Sequence, residues 1–182
     1  MLQLNFNPFP IIKTERLVLR PLHISDDDKM FFLRTDDDVN KYISNPKPSS
    51  IDDVRDLIYR LMNGVKNNEW IFWVMALKHK PELIGTICFW NINKETATGE
   101  IGYTLLPDHW GKGYMHEIMH PTIEYGFNAM KLKTIEAFTH KDNKSSTKLL
   151  EKNNFILNPH KKAEENADMI VYERKIIPGN HK

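Results

Sequence analysis

Arg16 to Leu22 alternates polar and apolar side chains, the period of two that sets one face of a strand on a core. Ser25, followed by Asp26, Asp27 and Asp28, then predicts a short helix with Ser25 as N-cap and the acids on the positive helix end. Ser49 and Ser50, with Asp52 and Asp53 in the next turn, predict a second helix through Leu57, Ile58 and Leu61, stopping at Gly64. Trp70 to Leu77 is the longest apolar run and reads as a strand covered on both faces. Three strands are expected in succession, Phe72 to Leu77, Leu83 to Trp90 and Glu100 to Leu106, the first two joined by Lys78 to Glu82 with Pro81 in the turn. Next comes a glycine-bearing stretch, Trp110-Gly111-Lys112-Gly113-Tyr114, which leads into an amphipathic run from Met115 to Met130. Pro121 deletes one internal hydrogen bond of that helix, but Ile118, Met119, Thr122, Tyr125, Ala129 and Met130 keep helical spacing across it. A bend is expected there, not a break. Lys133 to Thr139 predicts a strand, Ser145 to Asn153 a helix, and Asn154-Phe155 a turn into the last strands.

Composition narrows the class of protein. A chain of 182 residues, 41% hydrophobic and 10% aromatic, has enough apolar material for one sizeable core, so a single domain over 1–182 is expected. A formal net charge of +1 leaves no basic footprint for nucleic acid. Cys88 is the only cysteine, which rules out an internal disulfide and fits a small buried hydrophobe in a strand. Met1 to Ile12 lacks the basic start and apolar centre of a signal peptide, and the longest apolar run is far below the ~20 residues that span a bilayer. No membrane partner is expected, and the cytoplasm is the expected compartment.

The chemistry begins at the glycines. Backbone without side chains can approach an anion closely, and the first turn of the following helix offers unpaired N–H groups at the positive end of its dipole. Gly111 and Gly113 before a helix start are therefore a phosphate-binding candidate. A dinucleotide fingerprint would add a third glycine at position 116, which is His116.

Four segments in order, Thr14 to Leu22, Gly99-Glu100-Ile101-Gly102-Tyr103, Trp110 to Tyr114, and Asn143-Lys144-Ser145-Ser146 with the helix to Asn154-Phe155, resemble the GNAT acyltransferases. The likeness is to the branch that includes the ribosomal-protein N-terminal (alanine) acetyltransferases. The resemblance implies an α/β fold with a central, mostly antiparallel sheet flanked by helices and splayed between its fourth and fifth strands. It implies acetyl-CoA as cosubstrate, a primary amine as acceptor (a protein N-terminus or a small molecule), and direct transfer in a ternary complex; homodimers are common among such proteins. Thr104, Leu105 and Leu106 would form the strand edge that pairs with the pantetheine arm, and the N–H groups of Gly111, Lys112, Gly113, Tyr114 and Met115 would hold the pyrophosphate. Trp110 and Met115 depart from the residues usual at the two ends of that loop, and Asn154 stands where glycine is usual.

The resemblance also assigns roles at the reacting atoms. Glu100 occupies the place of a carboxylate that takes the amine proton, whereas its plain alternative is a surface Glu paired with a Lys. A base matters because at pH 7 an α-amine of pKa about 8 is roughly 10% unprotonated and a lysine amine only about 0.04%. Ser146 and Asn143 match the groups near the sulfur and cofactor, and both also fit as first-turn and N-cap residues of the following helix. His109, His116 and His120 lack companion ligands for a metal, and none is expected. Trp70, Trp73, Trp90 and Tyr103 read chiefly as core, with one or two available to an acceptor pocket; Asp36-Asp37-Asp38 reads first as a solvated run capping a short helix and second as a lure for a cationic amine at the cleft mouth. The alternative function is a CoA-binding regulatory module without turnover.

Overall fold

The computed structural model describes residues 2–43, 45–163 and 166–176, so Met1 and residues 177–182 of the expected 1–182 domain lie outside the described residues. Eight strands form one sheet: β1 (Ile12–Lys13), β2 (Leu17–Arg20), β3 (Ile71–Leu77), β4 (Lys80–Asn93), β5 (Thr98–Leu105), β6 (Thr134–His140), β7 (Ile156–Lys162) and β8 (Met169–Lys175). Their spatial order is β1-β2-β3-β4-β5-β6-β8-β7, with every pair antiparallel except β5 and β6. Because β1 is a two-residue strand ahead of the expected set, the expected fourth and fifth strands are β5 and β6.

Helices cover both faces. On one lie α1 (Asp27–Thr35), α2 (Asp37–Asn40) and α3 (Ile51–Lys66), burying Met30, Leu33, Val54 and Ile58 against Phe72 and Val74. On the other, α4 (Tyr114–Asn128) and α5 (Lys144–Lys152) bury Ile118, Met119, Ile123 and Leu150 against Trp73, Ile87, Phe89 and Ile135. Ile71–Ala76 is buried on both sides because it lies mid-sheet between these two layers, which is why its sequence runs apolar without alternation.

Local predictions hold where a side chain acts on its own backbone. Ser50 accepts from Asp53 N (3.1 Å) while Asp53 returns bonds to Ser49 and Ser50, closing the expected cap of α3. Asp36 accepts from Val39 N and caps α2, and Asn154 takes the left-handed conformation at φ 61°. They fail where tertiary contact intervenes. Ser25 caps nothing: Asp26 is buried instead, accepting His23 N and both Arg20 guanidinium nitrogens, so the turn before α1 is closed by an ion pair. Gly64 does not stop α3, which continues to Lys66; it leaves room for the Trp70 indole, whose ring would lie 2.0 Å from an added Cβ. The β3–β4 turn is only Lys78-His79, with Pro81 inside β4, where the irregular register asks no ladder donor of it. α4 runs unbroken past Pro121, burying Ile123, Gly126 and Phe127 and leaving Ala129 exposed.

Candidate functional site

The parallel pairing of β5 and β6 covers only Thr98↔Thr134, Gly99↔Ile135 and Glu100↔Glu136. Beyond Glu100 the two strands separate, and a groove of about 2010 Å³ opens between them. β5 remains paired to β4 on its other side, so its second edge is bare from Ile101 onward. In an antiparallel ladder every second residue exchanges both hydrogen bonds with its partner. Leu106 N bonds Ile84 O (2.9 Å), and Thr104 lies opposite Thr86 in the same phase. The main-chain groups that face the groove are therefore those of Ile101, Tyr103 and Leu105. Of the expected edge residues, only Leu105 presents its backbone there; Thr104 lines the groove and Leu106 is buried. The Leu105 carbonyl accepts the Trp110 indole N–H at 2.7 Å.

The groove leads to the start of α4. Gly111 and Gly113 have φ of 71° and 76°, left-handed values that side-chain-bearing residues adopt only at a cost, and no atom lies within 4 Å of a Cβ added at Gly111. Glu117 N makes the first helical bond, to Gly113 O, so the N–H groups of Tyr114, Met115 and His116 have no helical acceptor. Gly111, Gly113, Tyr114, Met115 and His116 all line the groove, whereas Lys112 is exposed and does not line it. The Met115 side chain is partly buried and packs against the α4-side core. These are donors and space suited to a pyrophosphate.

What holds this loop is legible only in three dimensions. Glu117, in the first turn of α4, accepts from Thr14 Oγ1 (2.5 Å), Arg16 N (2.8 Å) and Arg16 Nε (2.6 Å). Arg16 also donates to Lys112 O (3.0 Å) and lies over the Tyr114 ring, 4.6 Å from its centroid. Burial works to raise the Glu117 carboxyl, but the bonds from Thr14 and Arg16 outweigh it and hold it low. Thr14 and Arg16 belong to the segment expected only as a first strand, and no sequence signal tied them to Glu117.

At the fork sits Glu100, partly buried, with the side chains of Thr86, Cys88 and Trp90 on the same face of the neighbouring β4. Burial pushes its carboxyl up to about 7, and Glu136 adds to the rise, while the side chains of Asn91 and Trp90 and the Lys161 ammonium pull it back. β4 shifts register between Trp90 and Asn93, and Asn91 takes φ 47°, a bulge that turns this residue toward the groove. Lys161 is paired with Glu136 (2.5 Å), not with Glu100, so the surface-pair alternative for Glu100 is not realised among the described residues.

On the opposite face, Tyr103 reaches across the fork to α5. Its hydroxyl and Ser146 Oγ are 2.8 Å apart, and burial pushes the phenol up to about 12. Asn143 is the N-cap of α5, its Oδ1 accepting Ser146 N at 3.1 Å, so capping and groove-lining fall on the same residues. Tyr103 was expected chiefly as core; no sequence signal showed that the fork would set it against Ser146. Trp73 is fully buried and Trp70 bonds Leu61 O, whereas Trp90 is 49% exposed on the groove wall. His109 lines the groove with its Nδ1 buried and unpartnered; among the described residues no group of three His, Cys, Asp or Glu gathers as a metal site. No helix among them is long and apolar enough to cross a membrane.

A mostly antiparallel sheet that forks after one parallel pair, with a bare strand edge running toward a glycine-led helix N-terminus, is the architecture of an acyltransferase that takes its acyl group from CoA. The Acetyltransferase (GNAT) domain matches residues 16–156, and the chain belongs to that family. It is an acetyl-CoA-dependent N-acetyltransferase by family. It is 33% identical over 147 residues to the uncharacterized N-acetyltransferase YoaA of Bacillus subtilis, covering 81% of this chain and 83% of that one. Among solved structures it is similar to a GNAT-family acetyltransferase from Bacillus anthracis (28% identity, TM-score 0.76, covering 91% of this chain and 98% of that one). It also shares its fold with RimL, a ribosomal L7/L12 α-N-protein acetyltransferase solved in complex with coenzyme A (17% identity, TM-score 0.80, covering 92% and 98%).

Proposed function

We propose that the protein transfers acetyl from acetyl-CoA to a primary amine by direct attack in a ternary complex, with Glu100 as general base. The observation that carries this reading is the place of Glu100: at the fork, on the groove wall, with its carboxyl pushed up to about 7. A base is most useful when its pKa lies near the working pH, and a buried carboxyl at about 7 meets that condition. When bound, acetyl-CoA supplies a thioester carbonyl open to attack and a thiol leaving group. The amine nitrogen bonds the carbonyl carbon, its proton passes to Glu100 directly or through a water, and the C–S bond breaks.

The hydroxyl assigned to the sulfur side is that of Ser146, and Tyr103, neutral at pH 7, holds it through the 2.8 Å bond. A thiol of ordinary pKa about 8.5 leaves readily, so this pair adds hydrogen bonding to the departing sulfur and not an obligatory proton. The unpaired N–H groups of Gly113, Tyr114, Met115 and His116 would hold the pyrophosphate, and the free edge of Ile101 and Tyr103 would pair with the pantetheine arm. The similarity in fold to RimL supports a protein N-terminus as one acceptor class; small amines are the other. Acetyl-CoA-dependent thiol release against peptides with free N-termini, N-blocked lysine peptides, amino acids and other small amines tests the reading. Release with a class of amine, lost in Glu100→Gln, is the expected result. CoA binding with no release to any amine would leave only a binding module.

A further inference from the structure

Two arginines on the groove wall take no part in the loop or in the transfer step. Arg34, in the last turn of α1, is half-buried and lines the groove with Thr86, Cys88 and Trp90; Arg60, exposed on α3, borders the same groove. A last-turn arginine commonly serves its own helix, but here those carbonyls are already served. Thr35 Oγ1 takes Phe31 O, Asp36 N takes Phe32 O, and Asn40 Nδ2 takes Leu33 O. Nearby Arg55 is held by Asp27 and Asp52. Among the described residues the guanidiniums of Arg34 and Arg60 donate no hydrogen bond and pair with no carboxylate.

Their setting gives that freedom a meaning. The wall around them is apolar, with Leu33, Leu61, Trp70 and Phe72, and burial together with the charge of Arg60 opposes the charge of Arg34. An oxyanion placed between two guanidiniums converts their repulsion into attraction, and the planar fork of a guanidinium matches carboxylate and phosphate oxygens two at a time. The same groove joins them to the reacting end: Cys88, which lines it with Arg34, lies opposite Gly102 and diagonal to Glu100 on one face of the β4–β5 pair.

We infer that the acceptor is a primary amine that also carries a carboxylate or a phosphate, the oxyanion held by Arg34 with Arg60 while the amine meets Glu100. This rests on the acetyl-transfer reading above and narrows it. Polycationic amines are disfavoured by the same two arginines. Thiol release is measured for matched acceptors, 2-aminoethyl phosphate against 2-aminoethanol and β-alanine against its amide, each expressed per unprotonated amine. The acid-bearing member of a pair is the better substrate, and the two pairs separate phosphate from carboxylate. Arg34→Gln lowers kcat/KM for the acid-bearing member about tenfold to a hundredfold, through KM, and leaves its neutral partner and the KM for acetyl-CoA unchanged. Arg34→Lys, which keeps charge but not the fork, recovers part of the loss. Preference for the neutral members, or an equal loss for both, overturns the inference. Calorimetric titration of the CoA-loaded protein with inorganic phosphate and with acetate supplies a readout without turnover. Arg34-dependent anion binding with no thiol release to any amine refutes the transfer reading and keeps the anion site; release to neutral amines without such binding refutes the anion site alone.

Discussion

Replacing Glu100 by Gln should raise stability and abolish most activity, because burial opposes the same charge that the base needs. In the fold the carboxyl is pushed up to about 7 from an ordinary 4.5. The folded protein thus holds a proton that the unfolded chain has lost, and stability falls as pH rises from about 4.5 to about 7. At about 1.4 kcal/mol per tenfold in proton affinity, that difference amounts to about 3 kcal/mol above neutral pH if the group were fully buried. Glu100 is partly open to the groove, and screening by solvent reduces the figure to about 1 to 2 kcal/mol. The Gln variant has no charge to bury. It is expected to match the parent near pH 4 and exceed it near pH 8 by about 1 to 2 kcal/mol, a Tm rise of about 2 to 8 °C for a chain of this size. Calorimetric unfolding across that range makes the comparison. In the same samples kcat/KM for an accepted amine should drop about a hundredfold or more, and, once expressed per unprotonated amine, its rise through pH 7 should disappear. A variant destabilised near pH 8, or offset from the parent equally at both pH values, refutes the burial argument; undiminished kcat/KM removes Glu100 from the chemistry.

Other outcomes follow from the same geometry. Glu117→Gln loses the charge that gathers Thr14 and Arg16, so about 2 kcal/mol of stability should go and the KM for acetyl-CoA should rise while that for the acceptor holds; because that carboxyl is held low, the difference from the parent should fade as pH falls below about 4.5. Gly111→Ala, with nothing near its added Cβ but a φ of 71°, should cost only about 1 kcal/mol in denaturant unfolding yet weaken CoA binding measured by calorimetry. Gly64→Ala should cost more, about 1 to 3 kcal/mol, because its Cβ meets the Trp70 ring at 2.0 Å. Cys88 is half-buried on the groove wall, and desolvation pushes its thiol up to about 12, so alkylation near pH 8 should be slow in the native protein and fast once unfolded; equal rates would contradict the raised thiol.

The chain alone specified whatever depends on neighbours in sequence. Ser50 with Asp53, Asp36 with Val39, the left-handed Asn154, and the glycines ahead of α4 were legible because each acts within a few residues of itself. The apolar run of β3 was legible because a strand covered on both faces needs no alternation. As site residues Glu100, Ser146 and Asn143 came from the family resemblance, while the capping of α5 by Asn143 was legible locally. Only the tertiary structure decided the rest, since those contacts join residues far apart in the chain. The fork made Ile101, Tyr103 and Leu105 the groove-facing edge, in place of the run Thr104 to Leu106, because the phase of the β4 ladder chooses which residues face out. It brought Tyr103 onto Ser146, Thr14 and Arg16 onto Glu117, and two arginines from separate helices onto one wall. Hydrophobic pattern constrains which face a residue takes, but the partner across the fold is set by how the packed layers meet.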